Sequence, residues 1–315
     1  MAILQTLGPV FIIIALGALL RWRGMVSQEV FGGIKKLIYW VGLPALLFVK
    51  VAAAGGVSGI GDSFWISGAG MAAAVVVALV VALILRMPSL KVGTFVQAGF
   101  RGNLAFIGLP VILFAFASAD GADTGARAQQ QAIITLALMI PIYNVLSVIC
   151  LQASQHRFNG RAMLKMFGGI LTNPLILACV AGVLWALWLP DMPGVMDRTL
   201  RALGQFTLPL ALVCVGATLV STPVRGNVRD ASLATVVKIV VSPLAGWAVA
   251  LLIGAGSVEA GIGLILCACP TAVASYVMAD QMKGDKALAA GAIVLSTIAS
   301  VASLGWAVWI IQNGG

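Results

Sequence analysis

The residues equipped for chemistry are few and gather in two places. Arg101-Gly102-Asn103 interrupts an apolar stretch that continues through Phe106-Ile107-Gly108-Leu109-Pro110. Cys269-Pro270-Thr271, followed by Ser275 and Tyr276, interrupts another. An arginine, an amide and several hydroxyls are donors for an oxygen-rich anion. They do not make a hydrolytic or metal centre. His156 is the single histidine, no acid pair accompanies it, and Cys267 and Cys269 are two apart, the wrong spacing for a redox or zinc pair. Cys150, Cys179 and Cys214 also lie in apolar runs and read, like the other two, as small buried side chains. The expectation is reversible binding, with no enzyme activity, cofactor or metal.

Composition says what must hold these residues. The chain of 315 residues is 61% hydrophobic and 9% charged, against roughly 45–50% and about 25% in ordinary soluble proteins. That balance belongs in a bilayer. A span takes about 20 apolar residues, so ten spans are near the ceiling and leave only short loops. The net charge of +9 is spread over the edges of the apolar runs and forms no basic face, which excludes nucleic acid as a partner.

Apolar runs between charged or Gly/Pro breaks place spans near residues 3–20, 34–54, 64–85, 93–118 and 128–151, then 167–189, 199–220, 232–254, 258–280 and 287–311. The first run has Arg21 and Arg23 after it and no basic residue before it, so it is expected to stay in place as a span. Odd-numbered connections hold most of the Lys and Arg, including Lys35, Lys36, Arg86, Lys91, Arg157, Arg161, Lys165, Arg225, Arg229, Lys283 and Lys286. Even ones hold Lys50, Arg127, Arg198 and Arg201. The positive-inside rule then puts the odd loops in the cytoplasm and both termini on the outer face.

The prolines carry a repeat. Pro9 and Pro44 are 44 − 9 = 35 residues apart, and Pro174 and Pro209 are 209 − 174 = 35 apart, so the halves are offset by 165. A five-span unit repeated once must invert, because five is odd, and inverted repeats are a feature of secondary transporters. Asn103 with Pro110, and Pro270, then fall in the fourth span and the ninth, equivalent places in the two halves. Proline removes an amide donor and clashes one turn back, so each of these spans should split into two half-helices near the midplane.

At these residues the sequence resembles the auxin efflux carrier family, which includes plant auxin exporters and bacterial malonate and malate carriers. The resemblance rests on Gly17 through Arg23, Gly42 through Phe48, Asn103 with Gly108-Leu109-Pro110, Lys238 with Pro243, and Pro270-Thr271-Ala272 with Ser275 through Ala279. It implies an all-α polytopic membrane protein of ten helices in two inverted five-helix repeats, with broken spans four and nine crossing as in bile-acid symporters. The repeats would occupy 1–153 and 167–315, joined by a cytoplasmic linker at 154–166. Spans one, two, six and seven would form a scaffold, and spans three to five and eight to ten a transport unit. A homodimer in the cytoplasmic membrane and elevator-type passage of a small organic anion would follow. Plant auxin carriers have proline immediately before the asparagine of span four. Gly102 stands there instead, with Arg101 before it, which suits a small mono- or dicarboxylate better than an indole ring.

In that layout each second half-helix would aim its positive amino end at the centre, where carboxylates are attracted. Asn103 and Thr271 are expected to cap these ends and to donate to substrate, with Gly102, Pro270, Ser275 and Tyr276 completing the lining. Arg101 lies near the carbonyl end of the first half of span four, either neutralising it or holding the anion. Lys238 either extends to the cytoplasmic edge or compensates charge at the broken ninth span. Tyr143, Asn144 and Ser147, after Pro141, could join the site or only hold helices together. A sodium-coupled symporter of the same fold and an anion channel are the alternative readings.

Overall fold

The computed structural model describes residues 2–53, 61–116, 122–155, 172, 174–189, 192–221 and 228–313. The 154–166 linker lies almost wholly outside the described residues, as do His156 and the expected start of the sixth span near 167. The described residues are helical, with one isolated β-bridge and no strand. The first half holds α1 Ala2–Trp22, α2 Gln28–Leu37, α3 Leu43–Ala53, α4 Asp62–Ile84, α5 Ser89–Phe100, α6 Leu109–Ala115 and α7 Ala122–Ala153. The second holds α8 Pro174–Trp188, α9 Gly194–Ser221, α10 Val228–Val236, α11 Ser242–Leu252, α12 Ser257–Ala268, α13 Ala274–Gln281 and α14 Lys286–Asn313. Among the described residues six stretches are long and apolar enough to cross a membrane: Gln28–Val49, Asp62–Ile84, Gly125–Ala153, Gly194–Ser221, Val228–Leu252 and Lys286–Gln312. Leu7–Trp22, Leu104–Ala115 and Ser257–Ala268 are shorter apolar helices.

Three prolines shape these helices in one way. Leu43, Leu109 and Ser242 each precede a proline, and the amide of each reaches back five residues, to Ile38 O, Leu104 O and Val237 O. A wider π turn therefore precedes Pro44, Pro110 and Pro243, spanning Ile38–Gly42, Leu104–Gly108 and Val237–Val241. The extra residue gives the ring room that a regular α turn denies it. Helices α2 and α3 thus run on as one span, and so do α10 and α11.

The helices pack in two groups. In one, α1 lies along α9 and α3 along α8, with α9 also against α2 and α3. In the other, α4 packs on α5, α11 and α12, α5 on α7, and α14 on α10 and α12. Within each group glycines let backbones touch. A Cβ on Gly17 would strike the Val213 backbone, and one on Gly216 the Ile14 backbone, so the α1/α9 contact is locked from both sides. Gly182 and Gly204 receive Phe48, Val51 and Leu46 in the same group. In the other, Gly70 meets Ser242, Gly93 meets Cys150, and Gly263 meets Ile66. Among the described residues no such glycine contact joins one group to the other.

Candidate substrate-binding site

Helix α5 ends at Phe100 and α12 ends at Ala268, and the two interrupted segments meet. Asn103 N donates to Pro270 O at 2.8 Å, and Ala272 N donates to Arg101 O at 2.8 Å, forming an antiparallel bridge between Gly102 and Thr271. Unwound backbone in a membrane interior must find partners within the protein. Here each break supplies them to the other.

Thr271 and Lys238 hold this crossing from behind. The Thr271 side chain is fully buried; its Oγ1 donates to Ala98 O at 2.8 Å, while its amide donates to Ser296 Oγ at 2.9 Å. Neither group faces open space. Lys238 is also fully buried, and its ammonium donates to Cys267 O at 2.6 Å. A cation stands at the carbonyl end of α12, where the helix dipole is negative. Of the two expectations for Lys238, extension to the membrane edge does not occur. Ser275 is buried with its hydroxyl unpartnered, and Pro270, Ser275 and Tyr276 do not line the cavity described next.

In front of the crossing lies a cavity of about 600 Å³. Arg101, Gly102 and Asn103 line it, with Leu104 to Phe106 from the π turn and Ala272, Val273, Ala274 and Val277 from the start of α13. Asn103 holds the cap position before Leu104 without a side-chain cap bond, so its amide is not consumed by the helix end. In α13 the Ser275 and Tyr276 amides turn back to Ala272 O and Val273 O, and after Asn103 those of Ile107 and Gly108 turn back to Asn103 O; the amino ends of both segments, positive by the helix dipole, border the cavity. Two positive helix ends therefore face one space.

Arg101 is 7% exposed and points into this space. Its Nη2 donates to Asn144 Oδ1 at 2.5 Å, and Nη1 contacts Met278 Sδ. Both partners are neutral, so the charge stays uncompensated. Tyr143 and Asn144 complete this wall, and the Tyr143 ring meets Phe100 edge-on at 5.8 Å. Ser147 is turned away, its hydroxyl on Tyr143 O at 2.6 Å.

The opposite wall comes from the other helix group: Lys35, Lys36, Tyr39 and Trp40 of α2 and its π turn, Leu175 of α8, and Cys214, Val215 and Thr218 of α9. Lys35 Nζ donates to Thr218 Oγ1 at 2.5 Å. The sequence places these lysines at the edge of the 34–54 span, among the charges of the first connection. The helix in fact starts at Gln28, with the Ser27 hydroxyl accepting from Val30 N. Ser27 with Glu29 in the first turn was the available signal. Among the described residues no Asp or Glu lines the cavity. Next to the cavity, sharing Leu175 with it, Leu43, Leu47, Leu109 and Leu136 leave a void of only about 10 Å³.

The chamber is walled mainly by apolar side chains, with three cations and, among the described residues, no carboxylate, the make-up of a small-molecule site. The chain belongs to the membrane transport protein family, which it matches over residues 2–310, and this is the auxin efflux carrier family of the sequence resemblance. It is a multi-pass membrane transporter of a small molecule, not an enzyme. A transporter of Methanothermobacter thermautotrophicus, otherwise uncharacterized, is 25% identical over 309 residues, covering 95% of each chain. A Rhizobium meliloti protein provisionally named a malonate transporter is 24% identical, covering 97% of this chain and 95% of its own. An uncharacterized transporter of Methanocaldococcus jannaschii is 21% identical over 96% of this chain and 97% of its own.

Proposed function

We propose that this transporter is a secondary carrier for a small organic anion, a mono- or dicarboxylate, working by an elevator-type motion. The observation that carries the reading is the charge of the cavity: Lys35, Lys36 and Arg101 line it, and among the described residues no carboxylate does. The substrate's own carboxylate supplies the missing partner.

The ten-span, inverted-repeat layout is supported by matched parts. Helices α5 and α12 are both 12 residues long, both begin with Ser, and start 257 − 89 = 168 residues apart, close to the proline offset. Exchanging the halves turns the α1/α9 packing into the α8/α3 packing, and both are present. In this reading α1, α2, α3, α8 and α9 are the scaffold, and α4–α7 with α10–α14 move as one body carrying the crossing. Lys91 ties that body at one end, lying 3.7 Å from Asp230 and 3.9 Å from Asp285. The glycine contacts fall inside the two groups and not between them, so the boundary can slide without unlocking backbones. With odd loops in the cytoplasm of the inner-membrane orientation, the cavity faces inward. Dimerisation places the outer, apolar face of α1, with Ile12, Leu16 and Leu19 exposed, against a second scaffold.

Counterflow in proteoliposomes tests the reading. Preloading with unlabelled carboxylate should accelerate uptake of labelled carboxylate, whereas a channel shows no acceleration. A ligand bound only by the folded state, at 100 times its dissociation constant, adds about 2.7 kcal/mol of stability. Absence of any thermal shift across small mono- and dicarboxylates would overturn the anion assignment.

A further inference from the structure

The cationic groups of the cavity do not all belong to one body. Arg101 and the two helix ends sit on the group that contains the crossing, whereas Lys35 and Lys36 sit on α2, packed with α9 in the other group. Lys35 is half-buried and held by Thr218 of its own group, Lys36 is exposed, and neither forms an ion pair among the described residues. From this division we infer that Lys35 and Lys36 form a second carboxylate subsite on the scaffold, which reads the far end of a dicarboxylate and is left behind when the crossing moves. The inference rests on the carboxylate-carrier reading and adds to it a pair of specificity-determining residues and a difference between the two faces.

The argument is geometric. A monocarboxylate satisfied by Arg101, Asn103 and the helix ends leaves the two lysines across the cavity uncompensated. A two-headed anion spans both walls and compensates each. The lysines cannot travel with it, because Lys35 is anchored to Thr218 on α9, and α9 is locked to α1 by the Gly216 and Gly17 contacts. The second contact therefore exists only while the crossing stands opposite α2, as it does here. Dicarboxylate should bind more tightly from the side on which this cavity opens than from the other. Monocarboxylate should show little such asymmetry.

The experiment compares malonate and acetate on the purified full chain, as wild type and as the double variant Lys35→Gln/Lys36→Gln, by calorimetric or thermal-shift titration. Both lysines reach open space, so glutamine keeps the helix, and an unchanged melting temperature without ligand verifies that. Wild type should prefer malonate. The double variant should lose about tenfold or more in malonate affinity, on the order of 1.4 kcal/mol, with acetate binding altered less than about twofold. Lys35→Arg/Lys36→Arg should restore malonate binding at least in part. In vesicles of uniform orientation, the difference in malonate affinity between the faces should shrink in the glutamine variant. Equal loss for both anions, no loss for either, or a wild type that does not distinguish them overturns the subsite while leaving the carrier reading intact. A wild type that binds neither anion, nor any other small carboxylate, overturns the carrier reading itself.

Discussion

Thr271 and Asn103 come from equivalent breaks and stand beside each other, yet their side chains are used differently. Removing the Thr271 hydroxyl leaves the Ala98 carbonyl without its partner in a dry interior, a loss of about 1–3 kcal/mol. Asn103 makes no cap bond and faces the cavity. Thr271→Val is therefore expected to lower the melting temperature in detergent clearly. Asn103→Ala should leave it within a degree or two while uptake falls at least tenfold, roughly one charge-assisted hydrogen bond. Ser147→Ala is the matched control, because that hydroxyl only bonds its own helix, and both readouts should stay near wild type. A stable, inactive Thr271→Val would show instead that its hydroxyl turns to the substrate during transport.

At the scale of elements, the bridge and the glycine contacts make opposite demands on substitution. The Gly102 amide takes no part in the two bridge bonds, which run through Asn103 N and Arg101 O, and Arg101 is already extended rather than helical, with ψ of 98°, about 20° from the range a following proline favours. Gly102→Pro is expected to fold and insert normally, with an unchanged gel-filtration profile. Gly216→Val should not, because its Cβ falls on the Ile14 carbonyl and both backbones are fixed; several kcal/mol of overpacking follow, and protein yield should collapse. Much of this scale was legible in the sequence. Pro110 and Pro270 marked the broken spans because proline acts locally, whereas the π turns before Pro44 and Pro243 were not read from the sequence. What escaped was whatever depends on distant partners: that Thr271 would spend its hydroxyl on Ala98, and that Lys35 and Lys36 would lie inside a wall instead of a loop. An apolar-run count starts a helix where hydrophobicity starts, and α2 begins six residues earlier on a polar, capped turn.

For the whole molecule, the sign of the cavity sets what can share it. Lys35, Lys36 and Arg101 place fixed positive charge around the crossing, and Lys238 adds another behind it. Two unit charges 5 Å apart repel by about 3 kcal/mol at an effective dielectric near 20, more than a hundredfold in affinity. Transport is therefore expected to be independent of sodium. Uptake into proteoliposomes with sodium replaced by choline, at fixed pH and membrane potential, checks this. A rate that rises with sodium would place a cation site beyond the reach of these side chains.

The reciprocal bridge also bears on how the protein is made. Helices α5 and α12 are 12 residues each, about 18 Å, well short of a hydrocarbon core of about 30 Å. The open backbone groups of Arg101 and Asn103 find their partners only at Ala272 and Pro270, 272 − 101 = 171 and 270 − 103 = 167 residues later in synthesis. Until the ribosome has passed that point, the amino-terminal half carries an unfinished segment that must be sheltered by the insertion machinery or by neighbouring helices. A nascent chain arrested after residue 253 should thus crosslink to insertion factors through residues 101–103 and be cleaved readily by protease, and one extended past residue 290 should lose both properties together. Maturation of the two halves is then a single late event, with the first half waiting on the second.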